Sequence, residues 1–474
     1  MNSEIDSIAK TAPAVTKPDR YPPQIKYIIG NEACERFSYY GMVGILELYL
    51  MNRMGLGKDG ATETLHLFGT AVYFLPLLGG WIADRWFGRY WTILVISLFY
   101  CLGHGTLAAF EGSRVGLFVG LSLIAIGAGG IKPCVSAFVG DQFRADQQHL
   151  LPKIYGWFYW AINLGAAAGF FIIPMVHAKA GYSWAFGIPG IAMGVATLFF
   201  WMGTKYYVRQ PPARQQKRVR FVPVWWYALC HPGRRKAGQN FLDVALEKFS
   251  REEVQTAKAV VSILVIFAGV PIFWALYNQV NSTWVLQGNK MKPFPIFHGW
   301  GLNGETMQGA GAVLVMVWVP LLTWGVYPLL ERLGWRPTAL RRMSVGMVLA
   351  AAAFVLSGVL QSKLDNGQSL NIAWQLVPYI VLEAGEVMVS ATALEFAFDQ
   401  APKQLKSVIM SFWLMTTAAG HFLIALFTGL NARFVHATGA SEFYFYAVLM
   451  FVVAMIFIVL ASRYRDRRIE AQAA

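Results

Sequence analysis

Three ionisable residues stand close together in an otherwise apolar segment near the start of the chain. The segment NEACERFSYYG, residues 31–41, carries Glu32, Glu35 and Arg36. An ionised side chain that faces lipid costs at least about 2.5–3.5 kcal/mol, so these groups must line an aqueous cavity or meet partners. Carboxylates and bases that share a dry pocket exchange charge when one of them gains or loses a proton. The chemistry that this spacing offers is reversible protonation.

These groups fall on one face of a helix. At about 100° per residue, an arc of roughly 140° on the first predicted helix holds Glu32, Glu35, Arg36, Tyr39, Tyr40, Val43 and Glu47. Glu32 and Arg36 stand at i and i+4 and can pair with each other. That pair alone leaves Glu35 without a partner, so we expect a wider network.

A base on the fourth predicted helix can complete that network. Lys132 lies in the segment GGIKPC, where Pro133 can open the backbone bonding of the helix. Nearby glycines permit close helix approach, namely Gly127, Gly129 and Gly130. We expect Lys132 to pair with Glu35. Protonation of a glutamate would then release the ammonium group for another anion, which is the physical basis of proton coupling.

The second half of the chain supplies acids but no embedded base. Glu383 and Glu386 lie in LEAGEVMVS, and Glu395 follows in ALEF. A cavity between the halves would be cationic on one side and anionic on the other, which suits a substrate that carries both charges. Glu395 can instead pair locally near a helix end, and Glu383 can be solvated. Aromatic residues can line the cavity, although packing is their commoner role: Tyr40, Tyr73, Trp274 and Trp413.

The composition places these residues in a membrane. Of 474 residues, 56% are hydrophobic and 14% are charged, which is too apolar for a soluble globule. The formal net charge is +14, but the basic residues lie in short loops between apolar runs. This charge therefore does not indicate nucleic-acid binding. The four cysteines lack metal-ligand spacing. The sequence predicts a polytopic membrane protein with no metal and no cofactor.

Apolar stretches long enough to span a bilayer occur six times before a basic linker and six times after it. Their predicted bounds are 25–51, 62–83, 90–110, 115–139, 153–176, 184–206, 257–286, 306–330, 342–360, 373–400, 406–430 and 442–462. We therefore predict an all-α membrane protein of twelve transmembrane helices. Its parts are a tail (1–24), a first six-helix half (25–206), a linker (207–256), a second six-helix half (257–462) and a final tail (463–474).

Positive charge sets the predicted orientation. Most of the 40 Lys and Arg residues fall on one side of the membrane if both termini are cytoplasmic. Two six-helix halves joined by a basic loop are typical of secondary transporters, in which two bundles rock around a midplane site. No GxxxxGK[ST] sequence occurs, so we do not expect ATP to drive the protein.

Several segments resemble one transporter family. GGWIADRWFGR, residues 79–89, resembles the loop between helices two and three of the major facilitator superfamily. NEACERFSYYG resembles the ExxERFxYY motif of the proton-dependent oligopeptide transporters. FYWAINLGA, GGIKPCVSAFVGDQF, FWALYNQ and GEVMVSATALEFAFDQAPKQLKS match that family in the same order. The resemblance covers nearly the whole chain and implies a major facilitator fold and symport of protons with di- and tripeptides.

The resemblance also implies roles for individual residues. Proton coupling would fall to Glu32, Glu35, Arg36, His66 and Lys132. Substrate binding would involve Tyr40, Tyr73, Lys132, Asn163, Asn278, Glu386, Ser390 and Trp413. Within that set, Lys132 would meet the peptide carboxylate and Glu386 the amino group. We expect gating residues at Asp84, Arg85 and Glu395.

Three positions depart from the family pattern. Val43 stands where peptide-binding members usually carry an arginine, Asn278 where an acid commonly pairs with it, and Gly311 where an asparagine is usual. Loss of both partners of a buried pair can be nearly neutral, whereas loss of one leaves a costly charge. We therefore expect the external gate to close without this pair and His66 to carry more of the proton traffic. In the linker we expect one amphipathic helix around 240–256.

Two functions remain open on the same fold. The favoured one is a proton-coupled symporter of small peptides in the cell membrane, the inner membrane in a bacterium, with no obligatory oligomer. The alternative is a carrier of another solute such as nitrate or an organic anion. Val43 and Asn278 keep this alternative open, whereas Glu386 argues against it. An intramembrane hydrolase would need a nucleophile and a base in reach, and neither HExxH nor GxSxG occurs, so no enzyme is predicted.

Overall fold

The first half of the chain folds into long helices. The computed structural model describes residues 20–212, 221–235, 239–297, 300–401 and 405–464. The helices of the first half are α1 (Ile25–Leu48), α2 (Gly57–Ile82), α3 (Gly88–Ala109), α4 (Arg114–Asp141) and α5 (Leu151–Met202). π-helical turns extend α1 over Tyr49–Arg53 and α2 over Ala83–Phe87.

The linker and the second half add further helices and one small hairpin. The helices are α6 (Phe221–Cys230), α7 (Arg251–Phe267), α8 (Val270–Tyr277), α9 (Thr283–Asn289), α10 (Met307–Pro320), α11 (Tyr327–Arg332), α12 (Ala339–Asp365), α13 (Leu376–Gln400), α14 (Lys406–Leu430) and α15 (Ala440–Arg463). Strands β1 (Phe294–Phe297) and β2 (Trp300–Leu302) pair antiparallel between α9 and α10. The prediction of an all-α protein is therefore correct except for this hairpin.

Two glycines break the continuous helical stretches. Gly88, with φ of 74°, separates α2 from α3, and Gly181, with φ of 80°, interrupts α5. Both lie in the left-handed region, which a residue with a Cβ atom rarely adopts. The break at Gly181 divides α5 into 151–180 and 182–202, close to the two predicted spans there.

The described residues contain nine helical stretches that are long and apolar enough to cross a membrane. Helix α1 is not one of them, because any 18-residue window of it includes Glu32, Glu35 and Arg36. Four of the nine stretches hold more than one helix or a broken helix: 57–109, 146–205, 251–289 and 307–332. The polarity of α1 therefore reflects the ionisable residues that it carries and not a departure from helical structure.

The helices form two packed halves that meet along a shared face. In the first half α1 packs on α5, and α4 packs on both α2 and α3. In the second half α12 packs on α13 and α15, and α8 packs on α14. Each half has its own hydrophobic core. Contacts of α2 with α14 and of α5 with α10 join the halves.

Part of the linker belongs to the second half. Phe221, Val224 and Ala228 of α6 are buried in the core of that half, and the Trp225 Nε1 donates to the Ala257 carbonyl at 3.3 Å. The prediction of one amphipathic helix over 240–256 is wrong. That segment forms a 3-10 turn, Phe241–Glu247, followed by the start of α7, because Ser250 caps α7 by accepting a hydrogen bond from the Glu253 N–H.

Candidate functional site

The ionisable residues of α1 form one buried cluster. Arg36 Nε lies 3.0 Å from Glu32 Oε1 and 2.5 Å from Glu35 Oε2. The three residues are at most 7% exposed, so their charges interact in a medium of low effective dielectric. Arg36 therefore pairs with both carboxylates, and Glu35 does have a partner on its own helix.

Lys132 does not pair with Glu35, and that prediction is wrong for this conformation. No ion pair of Lys132 occurs among the described residues. Its Nζ lies 4.0 Å from the ring centroid of Tyr73 and 4.4 Å from that of Tyr39. The Nζ atom is buried and makes no hydrogen bond within the described part of the chain. Two aromatic faces stabilise the cation there, and its hydrogen-bonding capacity stays unused.

His66 lies at the contact between the halves. Its Nδ1 is 2.9 Å from Nδ1 of His421 on α14, and its Nε2 is 2.8 Å from Oγ of Ser282. Tyr73 stacks on the His421 ring at a centroid distance of 5.6 Å. His66 is fully buried and His421 is 4% exposed. The histidine singled out in the sequence is therefore one of a pair that joins the halves.

The acids of α13 are buried on the second half. Ser390 Oγ donates to Glu386 Oε1 at 2.6 Å, while Glu386 Oε2 is buried and has no hydrogen-bond partner in the described residues. Glu386 lies within electrostatic range of Tyr40 and Tyr159 on the first half. The Glu386 carboxylate therefore lies near residues of the first half.

Glu383 is not solvated, contrary to one alternative drawn from the sequence. It is 1% exposed and accepts a hydrogen bond from the Tyr277 hydroxyl at 3.3 Å. Gly311 on α10 lies directly against it, since a Cβ atom at Gly311 would come within 2.6 Å of Glu383 Oε1. The glycine that departs from the family pattern makes room for this carboxylate.

The remaining predicted wall residues lie on both halves. Asn163 donates its amide to the Tyr159 carbonyl on the same helix at 3.0 Å. Trp413 packs edge-on to Trp274 at 5.9 Å. Trp274 Nε1 and Asn278 Nδ2 are buried and lack hydrogen-bond partners within the described ranges. The second half therefore holds two buried hydrogen-bond donors without partners, as well as the unpaired Glu386 oxygen, among the described residues.

Two of the predicted gating residues, Asp84 and Glu395, pair within their own halves. Arg89 contacts Asp84 at 3.8 Å and Asp141 at 2.7 Å. Glu395 pairs with Arg342 at 3.0 Å, and both belong to the second half. The local pairing of Glu395 that the sequence left open is therefore what the structure has. Asp84 and Arg85 are exposed at the end of α2.

Polar contacts close the halves together at one end, which we call the contact end. Lys58 Nζ lies 2.5 Å from Glu442 Oε2, and the Gln308 amide donates to the Gly44 carbonyl at 3.1 Å. His177 lies 3.6 Å from Glu305. Val43, next to Gly44, is buried in the core of the first half. The halves therefore meet at this end without a charged pair at the positions of Val43 and Asn278.

Four residues near these groups were missed by the sequence analysis as site residues. They are Tyr39, Tyr159, Tyr277 and His421. His421 carried the same signal as His66, an ionisable group in an apolar stretch. The tyrosines carried none, because aromatic residues in membrane helices mostly pack.

Comparison with known proteins identifies the family. A family model described as PTR2, POT family, matches residues 90–444. Solute carrier family 15 member 2 of Rattus norvegicus is 38% identical over 365 residues, covering 73% of this chain and 50% of the relative. Peptide transporter family 1 of Drosophila melanogaster is 37% identical over 371 residues, covering 74% of this chain and 49% of the relative. The chain spans about half the length of the curated relatives it matches.

Solved structures match this chain over a larger share of its length. An auto-inhibited POT family peptide transporter has a TM-score of 0.86 and 39% identity, covering 94% of this chain and 98% of that one. The POT family transporter PepTSo has a TM-score of 0.86 and 37% identity, with the same coverage. The fold is that of a multi-pass membrane transporter family. The chain belongs to the POT (proton-dependent oligopeptide transporter) family.

Proposed function

We propose that this chain is a proton-coupled symporter that imports di- and tripeptides across the cell membrane. The observation that supports this proposal is a pair of groups of opposite charge on opposite halves. Lys132 Nζ on the first half and Glu386 Oε2 on the second are both buried, and neither has a hydrogen-bond partner among the described residues. A peptide zwitterion offers a carboxylate to the ammonium group and an amino group to the carboxylate. Such charge-assisted hydrogen bonds are the strong ones.

The ion cluster supplies a route to proton coupling. With Glu32, Glu35, Arg36 and Lys132 all ionised, the positive and negative charges in this region balance. A proton on either glutamate leaves one excess positive charge close to Lys132, which favours a substrate carboxylate. Substrate and proton then each favour the other's binding, as linkage requires. We assign Glu32, Glu35, Arg36, His66 and Lys132 to coupling.

The binding residues that we propose lie on both halves. They are Tyr40, Tyr73, Lys132, Asn163, Asn278, Glu386, Ser390 and Trp413. Asp84, Arg85 and Glu395 are assigned to the opposite end, where closure would occur in the other state. A bare anion such as nitrate fits less well, because the buried carboxylate of Glu386 would repel it. We infer transport with no enzymatic step.

The arrangement of the chain in the membrane is also a proposal. We infer twelve spans in two halves, 25–206 and 257–462, with the linker 207–256 and both tails, 1–24 and 463–474, in the cytoplasm. The contact end then faces outward, and the conformation is the one open to the inside. The basic linker supports this orientation, since Lys and Arg concentrate in cytoplasmic loops.

Uptake into proteoliposomes tests the function. The purified protein is reconstituted, a pH gradient is imposed with acid outside, and labelled dialanine is competed with tripeptides, free amino acids and nitrate. We expect concentrative uptake that peptides inhibit and that collapses with the gradient. Competition by nitrate but not by peptides would refute the proposed peptide substrate. Uptake that does not change with the pH gradient would refute the proposed proton coupling.

A further inference from the structure

Helix α6 of the linker lies beside the ends of two predicted spans of the second half. Trp225 Nε1 donates to the carbonyl of Ala257, the first residue of the predicted span 257–286. The ring of Phe221 lies 6.4 Å from that of Phe412, in the second turn of α14. Because spans end where the hydrocarbon meets the headgroups, these contacts place α6 at the membrane boundary.

The face of α6 that points away from the core is apolar and exposed. Val222, Trp226 and Leu229 are 57%, 69% and 61% exposed. They stand at i, i+4 and i+7, so they form one stripe along the helix. An outward stripe that contains Trp and Leu, next to basic residues, is typical of helices that lie in the membrane interface.

A groove of about 470 Å³ opens between α6, the 3-10 turn Phe241–Glu247 and the start of α7. Apolar and polar side chains both line it, among them Trp225, Leu229, Phe241, Arg235, Lys258 and Ser262. Val265 lies one turn beyond Val261 on α7 and is exposed. Apolar surface therefore continues from the groove along the predicted span, which fits a ligand with a polar head and an apolar chain.

The charge around the groove favours an anion. Residues 209–242 hold eight Lys and Arg residues and no Asp or Glu. Lys258 is paired with Asp243 at 2.5 Å. Arg235 Nε donates to the Gln239 carbonyl at 2.9 Å, and Arg235 has no ion pair in the described part of the chain. Four to eight basic residues beside an interfacial helix are typical of sites for anionic lipids.

We propose that this groove binds the headgroup of an anionic phospholipid, with its phosphate at Arg235 and an acyl chain along Val261 and Val265. Trp226 then lies among the acyl chains of the same leaflet. The lipid fastens the linker to the start of α7, a role that goes beyond the proposed function. A second copy of this chain fits the face less well, because the basic segments that flank α6 would repel their own copy.

Fluorescence from α6 tests the site. Cys230, the exposed last residue of α6, carries an environment-sensitive fluorophore, and the partly exposed Cys34 and Cys101 are replaced by alanine. The purified protein in detergent is titrated with dioleoylphosphatidylglycerol, dioleoylphosphatidylcholine or glycerol 3-phosphate. We expect a saturable blue shift with phosphatidylglycerol, half-complete at a concentration about fivefold or more below that of phosphatidylcholine. Glycerol 3-phosphate should give no shift, and salt at about 1 M should reduce the difference between the lipids.

Substitutions locate the headgroup. Arg235→Gln should raise the half-saturating concentration of phosphatidylglycerol about fivefold, whereas Arg235→Lys should keep the preference because it keeps the charge. Arg332→Gln is the matched control, since Arg332 is exposed at the end of α11 and does not line the groove. Trp226→Gln should weaken the binding of both lipids. Thermal unfolding midpoints equal to that of the wild type verify that the variants are folded.

Equal affinities of the wild type for the two lipids would overturn the anionic site, as would equal effects of Arg235→Gln and Arg332→Gln. A blue shift with glycerol 3-phosphate that matches the shift with phosphatidylglycerol would assign the groove to a soluble phosphate instead. A shift that grows with protein concentration at fixed lipid would assign the face to a second copy of this chain. None of these outcomes depends on peptide uptake, so failure of the lipid site and failure of the proposed symport are distinguishable.

Discussion

Lys132 directs its ammonium group at the ring of Tyr73, with Nζ 4.0 Å from the ring centroid and with no ion pair to Glu35 among the described residues. Arg36 already occupies both glutamates. The cation is therefore held by aromatic faces that cannot neutralise it, and it keeps its charge for another anion. In this conformation the base nearest the ion cluster has no anionic partner among the described residues.

Replacement of Lys132 should weaken substrate binding. A hydrogen bond between charged groups contributes about 1.5–3 kcal/mol, so Lys132→Gln should raise the half-saturating dialanine concentration roughly 10- to 150-fold. Counterflow uptake at several dialanine concentrations measures this. Lys153→Gln serves as the matched control, because Lys153 is exposed and its Nζ lies about 6 Å from the rings of Tyr21 and Trp157, with no ion pair within the described part of the chain. An equal effect of both substitutions would contradict the assignment of Lys132.

Glu386 should recognise the amino group of the peptide. The wild type is expected to prefer dialanine to N-acetyldialanine, whose amino nitrogen carries no charge. Glu386→Gln removes the carboxylate and should reduce that preference by at least about tenfold, since one charge-assisted bond is lost. The measurement is the ratio of inhibition constants of the two compounds in wild type and variant. An unchanged ratio would exclude Glu386 from amino-group recognition.

Close packing at the ion cluster should make Gly165 intolerant of a side chain. A Cβ atom there would collide with the Ala33 carbonyl and lie 3.1 Å from the Arg36 Cβ. We expect Gly165→Ala to destabilise the protein by about 1–3 kcal/mol and to lower its thermal unfolding midpoint in detergent. Gly156→Ala on the same helix is the control, because no atom lies within 4 Å of its Cβ position. Equal midpoints for the two variants would refute the packing argument.

The Lys58–Glu442 ion pair should add modestly to closure of the contact end. Its side chains are 40% and 14% exposed, and such pairs contribute about 0.2–1 kcal/mol. With spin labels at Arg114→Cys and Gln368→Cys, which are exposed positions near the contact end, Lys58→Glu should increase the separation of the halves, and adding Glu442→Lys should restore closure. High salt should weaken the effect because exposed charges are screened. Failure of the double substitution to restore closure would indicate that the pair does not hold the halves.

A pH dependence is expected in the linker. The hydrogen bond from Lys258 lowers the pKa of Asp243 below its ordinary value of 3.8. Because the folded pKa is lower than the unfolded one, the stabilisation is present above about pH 4 and is lost as pH falls through the folded pKa. Asp243→Asn should therefore speed amide exchange over Phe241–Glu247 at pH 7 and have no effect at strongly acidic pH. A difference that persists in acid would contradict this.

The helices followed from the sequence because apolar runs of bilayer length leave the backbone few alternatives. The order of elements was therefore predictable, whereas the pairing partners of individual charged side chains were not. Whether Arg36 or Lys132 neutralises Glu35 depends on rotamers and helix rotation, which spacing does not determine. The burial of Glu383 depends on Tyr277 and Gly311, from two other helices, and the His66–His421 contact joins distant parts of the chain.

The charge on α1 has a consequence for biogenesis. A helix that carries Glu32, Glu35 and Arg36 gains little by entering lipid alone, and the surface that shelters it comes from α5, made more than a hundred residues later. We therefore expect α1 to leave the insertion machinery only after α5 has been synthesised. The ionisable residues that the folded protein buries would thus delay its assembly in the bilayer.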